Sequence, residues 1–162
     1  RCAVERDFNI YNSALSACEK AAQWEAALVL ISEMRSQDIE PRVLLFNTAI
    51  SACGKGLQWL WALELLRCMR TKGFWPSVDT FNAAISACER CFQWQCALSI
   101  LEEMRRSFRE PDMITYSAAI SACEKCRRWE QALLLLWEMK LRSLEMDTIA
   151  YNAAISACEK GG

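Results

Sequence analysis

An all-α solenoid of stacked antiparallel helical hairpins is the fold this sequence predicts, and three observations predict it. The chain repeats itself at a fixed step of 35 residues. Each unit carries two apolar stripes at helical spacing. Five Gly and three Pro among 162 residues leave little chain for long loops. A hairpin of two helices cannot bury its apolar face alone, so each unit must stack on its neighbours and the whole becomes one solenoid.

The repeat is read from landmarks that keep one register. Tyr11-Asn12, Phe46-Asn47, Phe81-Asn82, Tyr116-Ser117 and Tyr151-Asn152 recur at that step, as do Cys18, Cys53, Cys88, Cys123 and Cys158. Trp24, Trp59, Trp94 and Trp129 follow, then Met34, Met69, Met104 and Met139. Pro41, Pro76 and Pro111 mark the unit ends, with Met146 in place of a fourth proline. Residues 1–7 then read as the tail of a preceding unit, 8–42, 43–77, 78–112 and 113–147 as four full repeats, and 148–162 as the first helix of a fifth.

Within a unit, Phe81, Ile85 and Cys88 stand at i, i+4 and i+7 and define a first helix. Trp94, Ala97, Leu98, Leu101 and Met104 define a second. The few residues between Arg90 and Gln93 allow only a tight turn, so the two helices run antiparallel. Pro111 cannot continue the second helix. Asp7, Asp112 and Asp147 are read as lying just ahead of a first helix, where a carboxylate meets the positive helix end. Small residues, Ala83, Ala84 and Ala87 and then Ala118, Ala119 and Ala122, let first helices pack closely. Gly54-Lys55-Gly56 is read as the turn between two helices.

Composition removes several function classes. At 53% hydrophobic and 24% charged, with net charge −1, the chain is globular and not a polyelectrolyte binder of DNA. The absence of His removes the commonest catalytic base and metal ligand. No Gly-rich phosphate loop occurs, and Glu102-Glu103 reads as solvated helix surface. No apolar run approaches a membrane span; the most apolar, from Ala132 to Trp137, stops after six residues. The sequence begins at Arg1 and reads as an excerpt of a longer chain, with Phe8 and Leu15 expected to face a missing predecessor and to favour end-to-end association.

Cys88-Glu-Arg-Cys91 and Cys123-Glu-Lys-Cys126 form a pattern that elsewhere signals zinc. Here Cys88 and Cys123 belong to a row continuing through Cys18, Cys53 and Cys158, where the second cysteine is missing. Equivalent residues on neighbouring helices stand about 8–10 Å apart, too far for four sulfurs around one ion. The row is read as small apolar packing in a reducing compartment, with no metal, cofactor or disulfide framework.

First helices laid side by side also generate two polar rows. One is amide or hydroxyl: Asn12, Asn47, Asn82, Ser117 and Asn152. The other is basic: Lys20, Lys55, Arg90, Lys125 and Lys160. An extended nucleic-acid strand can follow rows at that pitch, with amides on base edges and cations on phosphates. A cation at a helix C-terminus also meets the dipole and the last carbonyls, and Glu19, Glu89, Glu124 and Glu159 lie beside these cations, so both accounts of the basic row stay open.

A unit of 35 residues with aromatic-Asn at its start, Ala-Leu in its second helix and Pro-Asp at its end resembles the pentatricopeptide repeat family. The tetratricopeptide pattern, with its 34-residue period, is missing. The resemblance implies a right-handed solenoid that binds single-stranded RNA at about one base per repeat, in RNA processing or expression in an organelle, mitochondrion or chloroplast. It implies no enzyme activity within these residues. It also implies that a base is chosen by the residue after the aromatic together with the residue closing the unit. Those pairs are Asn12 with Arg42, Asn47 with Ser77, Asn82 with Asp112, and Ser117 with Asp147, while Asn152 has no partner in this sequence. The family's preferences imply cytosine, uracil and guanine for the second to fourth pairs, hence a target 5′-NCUG-3′. A third position, which packs on base faces, is held by Asn9, Leu44, Asp79, Ile114 and Ile149, and Asp79 departs from the aliphatic pattern. The basic row is assigned to phosphates. The competing expectation is a helical-repeat scaffold for protein partners; neither reading involves a membrane or a small-molecule substrate.

Overall fold

The computed structural model describes residues 2–37, 39, 41–145 and 147–161. Met146, in the place of the fourth proline, lies outside them. Among the described residues there are nine helices and no strand: α1 Cys2–Lys20, α2 Trp24–Ser36, α3 Val43–Lys55, α4 Trp59–Thr71, α5 Val78–Arg90, α6 Trp94–Arg106, α7 Met113–Lys125, α8 Trp129–Leu141 and α9 Thr148–Gly161. Odd-numbered helices are the first helices of the units and even-numbered ones the second.

The packing makes a solenoid. Each first helix lies against the first helices before and after it, whereas each second helix packs against its own first helix and the next one. Among the described residues no two second helices pack closely, and they meet through long side chains such as Arg105 of α6 bonding Glu138 of α8 at 2.6 Å. The first helices therefore form the close-spaced inner layer and the second helices the wider outer one. Of the described helices, none is long and apolar enough to cross a membrane.

The predicted stripes form the core. Phe81, Ile85 and Cys88 of α5 are wholly buried, as are Ala97 and Met104 of α6, with Leu101 nearly so. Ala84 and Ala87 of α5 and Ala119 and Ala122 of α7 have no exposed surface, and their small side chains let the inner layer close up. Burial pushes the Cys53 thiol up to about 11 and those of Cys88 and Cys123 to about 12, so all three stay protonated and unreactive at neutral pH.

The hairpin turns hold Ala22, Leu57, Phe92 and Arg127 at φ of 54 to 59°. This left-handed step lets the chain fold back onto the helix it leaves: the Gln93 N–H donates to the Cys88 carbonyl at 2.9 Å. Turn geometry thus fixes the hairpins without glycine at the positive-φ position.

Three expectations change. Asp7 is inside α1, not ahead of it, because Arg6 stands where Pro41, Pro76 and Pro111 stand and nothing halts the helix before Cys2. Gly54 belongs to the last turn of α3 and is buried; only Gly56 is in the turn. A Cβ on Gly54 would lie 3.0 Å from the Ala87 Cβ, so this glycine lets α5 approach α3 closely. Leu15 is wholly buried and Phe8 half-buried, so neither presents an open apolar end.

Candidate nucleic-acid interface

The residues that close the units are helix caps. Ser77 precedes α5 and accepts from the Thr80 N–H at 3.3 Å, while the Thr80 hydroxyl accepts from the Ser77 N–H at 3.0 Å. Asp112 precedes α7 and accepts from the Thr115 N–H at 2.9 Å, with the reciprocal bond to the Thr115 hydroxyl at 3.2 Å. Asp147 precedes α9 and accepts from the Ala150 N–H at 2.8 Å. Each cap satisfies an N–H that the helix itself leaves unpaired.

The same three caps touch the residues that follow the aromatics. The Asn47 amide donates to Ser77 Oγ at 3.5 Å. The Asn82 amide donates to Asp112 Oδ1 and Oδ2 at 3.2 and 3.4 Å. The Ser117 hydroxyl donates to Asp147 Oδ1 at 3.1 Å. Residues 30 apart in sequence thus form one polar cluster at three of the four junctions between units, bringing together three of the four expected pairs.

Two residues not singled out from sequence complete these clusters. Thr80 donates its hydroxyl to Asn47 Oδ1 at 2.6 Å, and Thr115 donates to Asn82 Oδ1 at 2.6 Å. Each threonine fixes which side of the amide faces the cap. The available signal was a threonine three residues after Ser77 and after Asp112, the spacing of a capping box. Burial raises the Asp112 carboxyl, but the Thr115 N–H and hydroxyl and the Asn82 amide outweigh it and hold the pKa below its usual value.

The first pair does not assemble. Arg42 precedes α3 in extended geometry without a side-chain cap bond, and its guanidinium carbon lies 4.6 Å from the Phe8 ring centroid. Among the described residues it has no bond to Asn12. Asn152 is exposed on α9.

The amide row is less open than expected. Asn82 and Ser117 are each 8% exposed, and Asn47 is half-buried. The cap of the next helix, joined by a threonine at Asn47 and Asn82, covers them, so the accessible edge of each cluster belongs to the half-buried Ser77, Asp112 and Asp147. One helical turn before each amide or hydroxyl, Leu44, Ile114 and Ile149 are more than half exposed, and Asn9 and Asp79 are exposed as well. Apolar side chains exposed beside polar clusters offer a base both a face and an edge.

The basic row is mostly paired across unit junctions. Lys55 bonds Glu19 at 2.9 Å, Lys125 bonds Glu89 at 2.8 Å, and Lys160 bonds Glu124. Lys55, more than any other group, pulls the Glu19 carboxyl below its usual pKa. The glutamates thus serve the cation of the next unit, not the one beside them in sequence. Arg90 has no ion pair among the described residues, and Lys20 is exposed at the end of α1.

Comparison with known proteins agrees with this architecture. The PPR repeat family matches residues 76–125 and again 111–160, the pentatricopeptide repeat domain matches 1–56, and the PPR repeat matches 45–74. No curated protein matches the chain. Among solved structures, the pentatricopeptide repeat protein PPR10 in complex with an 18-nt psaJ RNA element is similar at 27% identity and a TM-score of 0.83. The match covers 94% of this chain and 22% of that one, so this chain spans less than a quarter of PPR10. A structure of the pentatricopeptide repeat protein PPR10 from maize matches at 26% identity and a TM-score of 0.76 over the same shares of the two chains. The PPR domain of Arabidopsis thaliana protein-only RNase P 1, in complex with tRNA, matches at 14% identity and a TM-score of 0.79, covering 94% of this chain and 84% of that one. At that identity the likeness is one of fold.

Proposed function

Because the chain belongs to the pentatricopeptide repeat family, we propose that it binds single-stranded RNA along its inner layer, reading one base at each junction between units. The observation that carries this reading is the threefold coincidence of cap and reading pair, with Asn47 at Ser77, Asn82 at Asp112 and Ser117 at Asp147. The RNA bound to PPR10, a relative of the same fold, supports it.

The clusters have the acceptors and donors that base edges need. At Asp112, Oδ1 already takes the Thr115 N–H, whereas Oδ2 holds only the long 3.4 Å contact from Asn82. That oxygen is an acceptor for the ring N–H of uracil. At Asp147, Oδ1 takes both Ser117 and Ala150, leaving Oδ2 for the N–H groups of guanine. At Asn47 the oxygen is committed to Thr80, and the second amide hydrogen is a donor for cytosine. Leu44, Ile114 and Ile149 pack on base faces, Asn9 and Asp79 are their polar counterparts, and the basic row meets phosphates. The target is 5′-NCUG-3′, with the first position unread because Arg42 is turned to Phe8. The repeats 43–77, 78–112 and 113–147 are the reading units. Binding is the whole mechanism, with no catalytic group within these residues. We extend the proposal to an organellar transcript, in a mitochondrion or chloroplast, on family grounds.

Three reading units at about 1–3 kcal/mol per stacked base give modest affinity once the cost of ordering a flexible strand is subtracted. Asp147→Asn is expected to move the fourth-base preference from guanine toward adenine in competition titrations with 5′-NCUG-3′ and 5′-NCUA-3′ oligoribonucleotides. An unchanged preference rejects the base assignment. Failure to retain any RNA on filters, at any salt, rejects RNA binding and favours a scaffold for protein partners.

A further inference from the structure

The outer layer is bridged by ion pairs at two junctions between second helices and open at a third. Arg70 of α4 pairs with Glu103 of α6, and Arg105 of α6 pairs with Glu138 of α8 at 2.6 Å. Each bridge joins a cation in the last turn of one second helix to a carboxylate 33 residues on, and so crosses the groove between the two helices. Between α2 and α4 the matching cation is Arg35, in the last turn of α2, and the residue 33 positions on is Cys68. Cysteine brings no carboxylate to that place. Arg35 is exposed, and among the described residues it has no ion pair or side-chain hydrogen bond.

The groove is also larger where the bridge is missing. It encloses about 430 Å³ between α2 and α4, against about 220 Å³ between α4 and α6. Its apolar walls are Leu28, Val29 and Ile31 of α2 with Trp61 and Leu65 of α4, and Val29 and Trp61 are exposed. Where Trp61 stands, the α4–α6 groove has the smaller, half-buried Cys96. Glu64, the acid that lines the α2–α4 groove, is already held by Arg67 of its own helix at 2.6 and 2.9 Å. The charge left to be matched in this groove is therefore the guanidinium of Arg35.

We infer that the α2–α4 groove is a docking site for a partner protein, and that it takes a peptide segment with an aliphatic or aromatic side chain close to an Asp or Glu. The apolar side chain fills the groove against Val29, Trp61 and Leu65. The carboxylate meets Arg35 as Glu103 and Glu138 meet the matching cations of the later units. A guanidinium can hold both oxygens of that carboxylate at once, and an exposed indole on the same groove supplies the kind of anchor that dominates protein interfaces. The groove belongs to the outer layer, so docking leaves the inner layer free, and the inference stands apart from the RNA reading.

The test is selection of short random peptides displayed on phage against the immobilised chain, followed by fluorescence anisotropy titration of the enriched peptides. Enriched sequences are expected to place Asp or Glu within a few residues of Leu, Ile, Phe or Trp. Cys68→Glu supplies the missing bridge and is expected to weaken these peptides roughly tenfold or more while leaving the thermal midpoint unchanged or higher. Arg35→Glu, a change at an exposed position, is expected to weaken them at least as much and decides the matter should Cys68→Glu fail to fold. Cys68→Ser is expected to leave their affinity unchanged. Peptides that bind Arg35→Glu and Cys68→Glu as well as the unsubstituted chain overturn the site, as does a selection that enriches no acidic and apolar sequence. Peptides displaced by a single-stranded RNA containing CUG lie on the inner layer and overturn it too. Self-association in sedimentation that Arg35→Glu abolishes would assign the groove to a second copy of the chain and overturn the partner. RNA titrations with Arg35→Glu and Cys68→Glu are expected to match those of the unsubstituted chain, so the two readings stand or fall separately.

Discussion

The first and third repeats carry the same amide, Asn12 and Asn82, in different surroundings. Asn82 is clamped between Thr115 and Asp112, and Asp112 also caps α7. Asn12 faces a junction where the closing residue is Arg42, which caps nothing and lies on the Phe8 ring, and where the clamp position is Leu45. The backbone differs little: Arg42 sits at φ −80°, ψ 164° and Asp112 at φ −98°, ψ −179°, both extended. Side-chain chemistry alone therefore decides whether a junction assembles a polar cluster. The residue that starts a helix and the residue proposed to meet a base are one residue.

The largest effect that would break this comparison is at Asp112. Asp112→Ala removes the cap and strands a buried amide, and is expected to destabilise the chain by about 2–3 kcal/mol in urea denaturation. Arg42→Ala should cost less than about 0.5 kcal/mol, because no cap is lost. Equal losses at the two sites would show that the cluster contributes nothing beyond its junction. Next in size, Arg42→Asp should stabilise α3 by about 1 kcal/mol, since the backbone is already in capping geometry. A fall in thermal midpoint would contradict that. The smallest effect concerns pH. The folded-state pKa of Asp112 is held below its unfolded value, so its contribution is present above the unfolded value and disappears as pH falls through the folded one. Asp112→Asn should flatten that acidic limb of the stability profile, and an unchanged limb would assign it to other carboxylates.

Much of this was legible in the sequence because the repeat makes every local signal appear several times. The 35-residue step fixed the hairpins, and the position of Asp112 and Asp147 beside the first helices anticipated both caps. What was hidden depended on contacts between units. The glutamate beside each cation in sequence gave no sign that it serves the cation 36 residues on, because that register is set by how far one helix is rotated against the next. The threonine clamps were visible only as part of a capping pattern, since their second bond reaches back a full unit. Gly54 read as turn residue because two glycines flank Lys55, whereas the close approach of Ala87 keeps it helical and buried. The backward extension of α1 to Cys2 follows from a missing proline, an absence that a search for motifs passes over.

The doubling of cap and proposed base contact has a consequence for attempts to redirect the chain to another RNA sequence. Substituting Ser77, Asp112 or Asp147 alters a folding signal at the same time. Only serine, threonine, aspartate and asparagine, with glycine as a weak fifth, end a loop and begin a helix well. The alphabet available at these positions is therefore short for reasons of helix initiation alone, before any ligand is considered, and a redesigned array that strays outside it will lose order one hairpin downstream of each change.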